Sequence, residues 1–218
     1  MSDPAKRARV HFPTIQITMV SIIVALALQQ WLDRLPVVDA MWEPTPVAAR
    51  IWCQALTAIV IIVKKWSGFV LASVVTERVP TALDLLGPIG ILIFVDAQIA
   101  SIGVEHVLRW WYVLGAGSLL AAAFIAGQMI DNPDRTPSEA EFVAGRSSLM
   151  RRFGAANPAT AEAALGIVAL LIAASHQTIG LDQTGLLIAG SLYLIAQAVS
   201  AIGPIVAWRV LRRLGDRK

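Results

Sequence analysis

Cysteine is nearly absent. Cys53 stands alone in 218 residues, which excludes an intrachain disulfide and any Cys-x-x-Cys redox or metal motif. It lies within an apolar run and reads as a small buried residue. Histidine is scarce, and His11, His106 and His176 are too dispersed to form a metal or haem pair. Charge is thin as well, at 15% against roughly 25% in soluble domains. The sequence lacks a phosphate-cradling glycine loop, His-Glu-x-x-His and Gly-x-Ser-x-Gly. It also lacks the Thr-Val-Gly-Tyr-Gly filter of potassium channels. These absences leave no recognised catalytic constellation, and no metal or cofactor is expected.

What is present is apolar surface. Hydrophobic residues make up 56% of the chain and the mean hydropathy is +0.66. A soluble fold of this length must turn a polar face to water, whereas a lipid-facing fold need not. The net charge of +3 does not point to nucleic acid. The basic residues flank apolar runs and form no stripe with interleaved aromatics. Membrane orientation and anionic lipid headgroups explain them better.

A spanning helix needs roughly 20 mostly apolar residues. Six candidates occur, at about 14–31, 47–63, 82–103, 110–130, 160–180 and 184–208. The expected fold is therefore an all-α polytopic bundle forming one integral membrane domain over 1–218. Lys6, Arg7 and Arg9 precede the first run, which contains Ala25-Leu26-Ala27. That resembles a secretory leader, but the run is long enough to span. It reads as an uncleaved first helix in a bacterial inner membrane.

With the N-terminus inside, Arg34, Arg50 and Arg109 are the outer cations among eighteen Lys and Arg residues. This positive-inside bias places both termini in the cytoplasm. Trp31, Trp42, Trp52, Trp110 and Trp111 fall near the outer interface, as aromatic belts do.

Lys64-Lys65 interrupt an otherwise apolar stretch from Val47 to Val75. Two ammonium groups at the centre of one helix would cost roughly 2.5–3.5 kcal/mol each. The second span is therefore expected to end near Lys64, with both lysines snorkelling into the cytoplasmic interface. Trp66–Val75 then forms an interfacial helix or a helical extension. The cytoplasmic loop at about 131–157 holds the capping-box pattern Ser138-Glu139-Ala140-Glu141. With Arg146, Arg151 and Arg152 it continues the basic surface of Lys64 and Lys65. Leu181-Asp182-Gln183 nearly exhausts the last connection, so the final two helices form a hairpin.

Asp96 is the leading candidate site residue, because an intramembrane carboxylate usually faces a bundle interior or a hydrated path. A hydrogen bond to a neighbouring helix or protomer is the structural alternative. Gln98, Gln54, Gln197 and His176 are polar companions. An outward-open vestibule ending near Asp96 would gather them, and interhelical amide bonds would equally explain each one. Gly87-Pro88 marks a kink or gate in the third span. Small-xxx-small pairs such as Gly117 with Ala121 and Ala169 with Ala173 allow close helix packing. The expectation is a small inner-membrane protein that forms or lines an ion or proton path, as a homo-oligomer. The alternative is an accessory subunit of a larger membrane complex.

Overall fold

The computed structural model describes residues 4–75, 82–103, 105–130 and 158–202. Six α-helices and no strand occur among them: α1 (Pro4–Arg34), α2 (Pro46–Val75), α3 (Ala82–Ala100), α4 (Val107–Ile130), α5 (Pro158–Ile179) and α6 (Gln183–Ser200). Five of the six are long and apolar enough to cross a membrane. The sixth, α3, has 19 residues and is apolar over Leu86–Ala100. At 1.5 Å per residue its 19 residues run about 28 Å, close to the thickness of a hydrocarbon core. Residues 131–157 and 203–218 lie outside the described residues, and with them Arg146, Arg151 and Arg152 and the expected capping box.

The helix starts follow local chemistry. Thr45 Oγ1 accepts from the Ala48 N–H at 3.2 Å, and Pro46 supplies the first turn of α2 without an orphaned donor. Gly180 ends α5 at φ +67°. Asp182 then caps α6, accepting from the Gly185 N–H at 2.7 Å. Asp182→Ala is expected to cost about 1 kcal/mol, visible as a lower melting temperature in detergent.

The first three helices form one packed group. Val20, Val24, Ala27, Trp31 and Arg34 recur on α1 at alternating spacings of four and three. Pro88, Leu92, Val95, Ile99 and Ile102 repeat that spacing on α3 and its following turn. This is the pattern of two parallel helices packed with a shallow crossing. Antiparallel α2 is tied to α1 by Trp31 Nε1 donating to the Ala55 carbonyl at 2.9 Å and Ser73 Oγ donating to Gln16 Oε1 at 2.8 Å.

The turn after α3 is irregular backbone inside the protein, where every polar group needs a partner. Arg34 Nη2 donates to the Ile102 carbonyl at 2.9 Å, and the Gly103 N–H donates to Gln54 Oε1 at 3.1 Å. Gly103 has φ +145°, outside the range open to most side chains.

Helices α4, α5 and α6 form the second group. Gly115 and Gly166 let α4 and α5 touch backbone to backbone, and a Cβ on Gly166 would lie 3.0 Å from the Gly115 carbonyl oxygen. Trp110 and Trp111, expected at the depth of the outer interface, are packed inside the protein at 1% and 2% exposure. They stack edge-to-face on each other, and Trp111 does so on Tyr193 at 5.5 Å. A bundle so rich in small residues leaves room for large rings inside. Ile22, Leu26, Ile93, Leu171, Leu192 and Ile195 are among many large apolar side chains facing outward. Apolar exposure on that scale fits a multi-pass membrane protein.

Candidate functional site

Helix α2 joins the two groups. Ile51, Ala55, Ala58 and Ile62 face the first apolar core. Arg50, Gln54, Thr57, Ile61 and Lys64 form a second buried stripe, again at alternating spacings of four and three. Ile61 packs in the core shared by α4, α5 and α6. The stripe carries its charges near its two ends, about 21 Å apart along the helix axis.

Lys64 is only 7% exposed. Its Nζ lies 2.7 Å from Glu162 Oε1 on α5, and Lys65 Nζ approaches the same oxygen at 3.1 Å. Lys64 also donates to Gln197 Oε1 and, at 3.0 Å, to Ser200 Oγ on α6. An ammonium has three N–H donors, and here three acceptors from two helices meet them. Gln197 Nε2 donates to the Tyr193 hydroxyl at 3.1 Å, which lies 3.5 Å from Ser118 Oγ on α4. A continuous polar chain thus runs from the two lysines to α4. Glu162 Oε2 is buried and makes no hydrogen bond.

Of the two expected forms of the segment after Lys64, the structure shows the continuous one. α2 is one helix of 30 residues through Val75, about 45 Å long. Trp66–Val75 is therefore a helical extension. Lys64 is not the surface cation it was expected to be, because Glu162, Gln197 and Ser200 replace the water that snorkelling would have supplied. Lys65 keeps partial access, its side chain being 16% exposed.

The other expected site residues do not converge. Gln197 joins the lysine cluster. Gln54 bonds to the turn after α3, beside the opposite end of the helices. Gln98 is buried, with its Nε2 unbonded. His176 is half-buried and its Nδ1 makes no bond. Gly87 lies within the α3 helix against Phe124, where a Cβ would come within 2.8 Å of the ring, and Pro88 is buried in the same helix. Asp96 is exposed on the outside of α3 and has no hydrogen bond or ion pair among the described residues. A single vestibule around Asp96 is not formed.

Glu162 was the residue missed. At the start of a span a carboxylate reads as a favourable partner for the helix dipole. The usable signal lay elsewhere: two lysines inside an apolar run require a counter-charge. Glu162, at the matching end of another span, supplies it.

Comparison with family models, curated proteins and solved structures finds no match. The site must be argued from its own chemistry. It holds two ammonium groups, one carboxylate, an amide, two hydroxyls and a phenol in a hydrogen-bonded line. Such a line can hold or relay a charge.

Proposed function

We propose that the protein is a multi-pass inner-membrane protein that carries ions along the seam between α2, α5 and α6, working as an oligomer. The carrying observation is the buried Lys64–Glu162–Lys65 cluster. Desolvating each charge costs several kcal/mol, and an apolar trio would pack the same space without that cost. Charged groups retained within a membrane bundle usually mark a conduction or exchange path. Helix α2 sets Arg50, Lys64 and the partly exposed Lys65 against one buried carboxylate among the described residues. That excess of cations favours anions over metal cations. Glu162 would be displaced from its lysines as an anion passes or as it takes a proton.

In this proposal both termini are cytoplasmic, six helices are seated in the bilayer, and the lysine cluster lies toward the cytoplasmic side. The basic-residue bias supports that orientation, and anionic lipids are the expected contacts at that face. A second reading, an accessory subunit of a larger membrane complex, draws on the exposure of Asp96 on an otherwise apolar face.

The test is flux into proteoliposomes, read with chloride-sensitive and pH-sensitive dyes. The wild type should raise anion or proton flux above protein-free vesicles. The apolar pair Lys64→Met with Glu162→Leu should abolish that rise while the protein remains monodisperse. Wild-type flux equal to protein-free vesicles would rule out the ion path.

A further inference from the structure

Asp96 on α3 has no partner among the described residues of its own protomer, yet it lies on a face that lipid would otherwise cover. Leu86, Ile89 and Ile93 are 58%, 47% and 62% exposed, and Asp96 and Ala100 continue the same stripe. The spacings are three, four, three and four, the pattern of a helix–helix seam. A second stripe, on α1, has the same character. Ile22 and Leu26 are 56% and 48% exposed, and Ala25, Gln29 and Gln30 are exposed beside them. Neither glutamine has a hydrogen bond or ion pair among the described residues.

Depth connects the two stripes. Arg34 on α1 meets Ile102 after α3, an offset of 68 residues. The same offset relates Val20, Ile23, Val24 and Ala27 to Pro88, Ile91, Leu92 and Val95, which together line one recess. The two helices therefore run parallel in fixed register. That register sets Asp96 level with Leu28, one residue from Gln29. The two polar side chains differ in depth by about 1.5 Å.

Two copies inserted the same way in a membrane are related by an axis along the bilayer normal, which conserves depth. Groups level within one protomer are then level across the interface. We propose that the exposed faces of α1 and α3 form a two-fold interface with a second copy of this chain. In it, Asp96 of each protomer bonds to Gln29 or Gln30 of its partner. An amide is a suitable mate for a carboxyl group at this depth, because it can donate to a carboxylate or accept from a carboxylic acid. The apolar residues on either side, and the small Ala25 and Ala100, supply close packing. The interface stands whether or not the α2–α5–α6 seam conducts.

The test uses full-length protein in mild detergent and in vesicles. Native mass spectrometry should show a homodimer for the wild type. Asp96→Leu removes two interhelical hydrogen bonds per dimer and should weaken dimerisation about tenfold or more, without lowering the melting temperature of the monomer. Asp96→Asn, which keeps hydrogen-bonding capacity, should stay dimeric. In a Cys53→Ser background, the pair Leu26→Cys with Ile93→Cys should form an intermolecular disulfide on oxidation. A matched pair on the other side, Leu171→Cys with Leu192→Cys, should not. A monomeric wild type, a dimer indifferent to Asp96→Leu, cross-linking confined to the α5–α6 side, or a different protein bound stoichiometrically at Asp96 would each overturn the proposal.

Discussion

Glu162→Ala is expected to destabilise the protein by about 3–5 kcal/mol, the usual cost of leaving a buried charge unpaired. Among the described residues, Glu162 Oε1 is the one carboxylate oxygen near both Lys64 and Lys65. Its loss leaves two cations at an enclosed site. Lys65 has an escape, since its side chain retains 16% exposure and can bend toward water. Lys64 has none at 7%. Gln197 and Ser200 would still accept from it, but neither carries the opposing charge. The double change Lys64→Met with Glu162→Leu should therefore be far milder than Glu162→Ala alone. Apolar replacement of a whole buried pair is often neutral or stabilising. Thermal unfolding followed by size-exclusion chromatography in detergent separates the cases. Equal losses for the single and double variants would show that Glu162 matters through packing and not through charge.

The second large effect concerns the crossing of α4 and α5. Gly166→Ala puts a Cβ 3.0 Å from the Gly115 carbonyl oxygen and 2.8 Å from Leu119 Cγ. The leucine can rotate away, but the backbone oxygen cannot. The expected cost is about 1–3 kcal/mol. Gly68→Ala is the contrasting case, because nothing lies within 4 Å of its added Cβ. It should stabilise the helix by about 0.5–1 kcal/mol through backbone entropy. The same substitution in two helices should thus shift the melting temperature in opposite directions. Agreement in sign would place the α4–α5 contact elsewhere.

Much of the architecture was legible because a bilayer imposes long apolar runs. The cores of all six helices lay within the expected segments. The end of α3 at Ala100 was not legible. The apolar run continues through Ile102, but Ser101, Ile102 and Gly103 leave the helix and tuck inside, where Arg34 and Gln54 meet their backbone groups. Those two side chains are 68 and 49 residues away, so no local pattern announces the turn. Gly117 had the spacing of a helix-crossing residue, yet it packs on Phe94 while Gly115 makes the tight crossing. Small-residue spacing identifies helices able to approach closely but not the face that does so.

The candidate site divides in the same way. Composition and periodicity alone determined that the chain is helical, that it holds several runs long and apolar enough to span, and that its few intramembrane polar groups carry the functional question. They do so because lipid penalises every polar atom regardless of tertiary partners. Only the tertiary structure decided which of those groups matter together. Asp96, the most conspicuous in sequence, faces outward from α3. Lys64, expected to reach for water, is enclosed by Glu162, Gln197 and Ser200. A charge can be buried wherever the fold brings an opposite charge to it, and that meeting depends on which face of each helix packs inward.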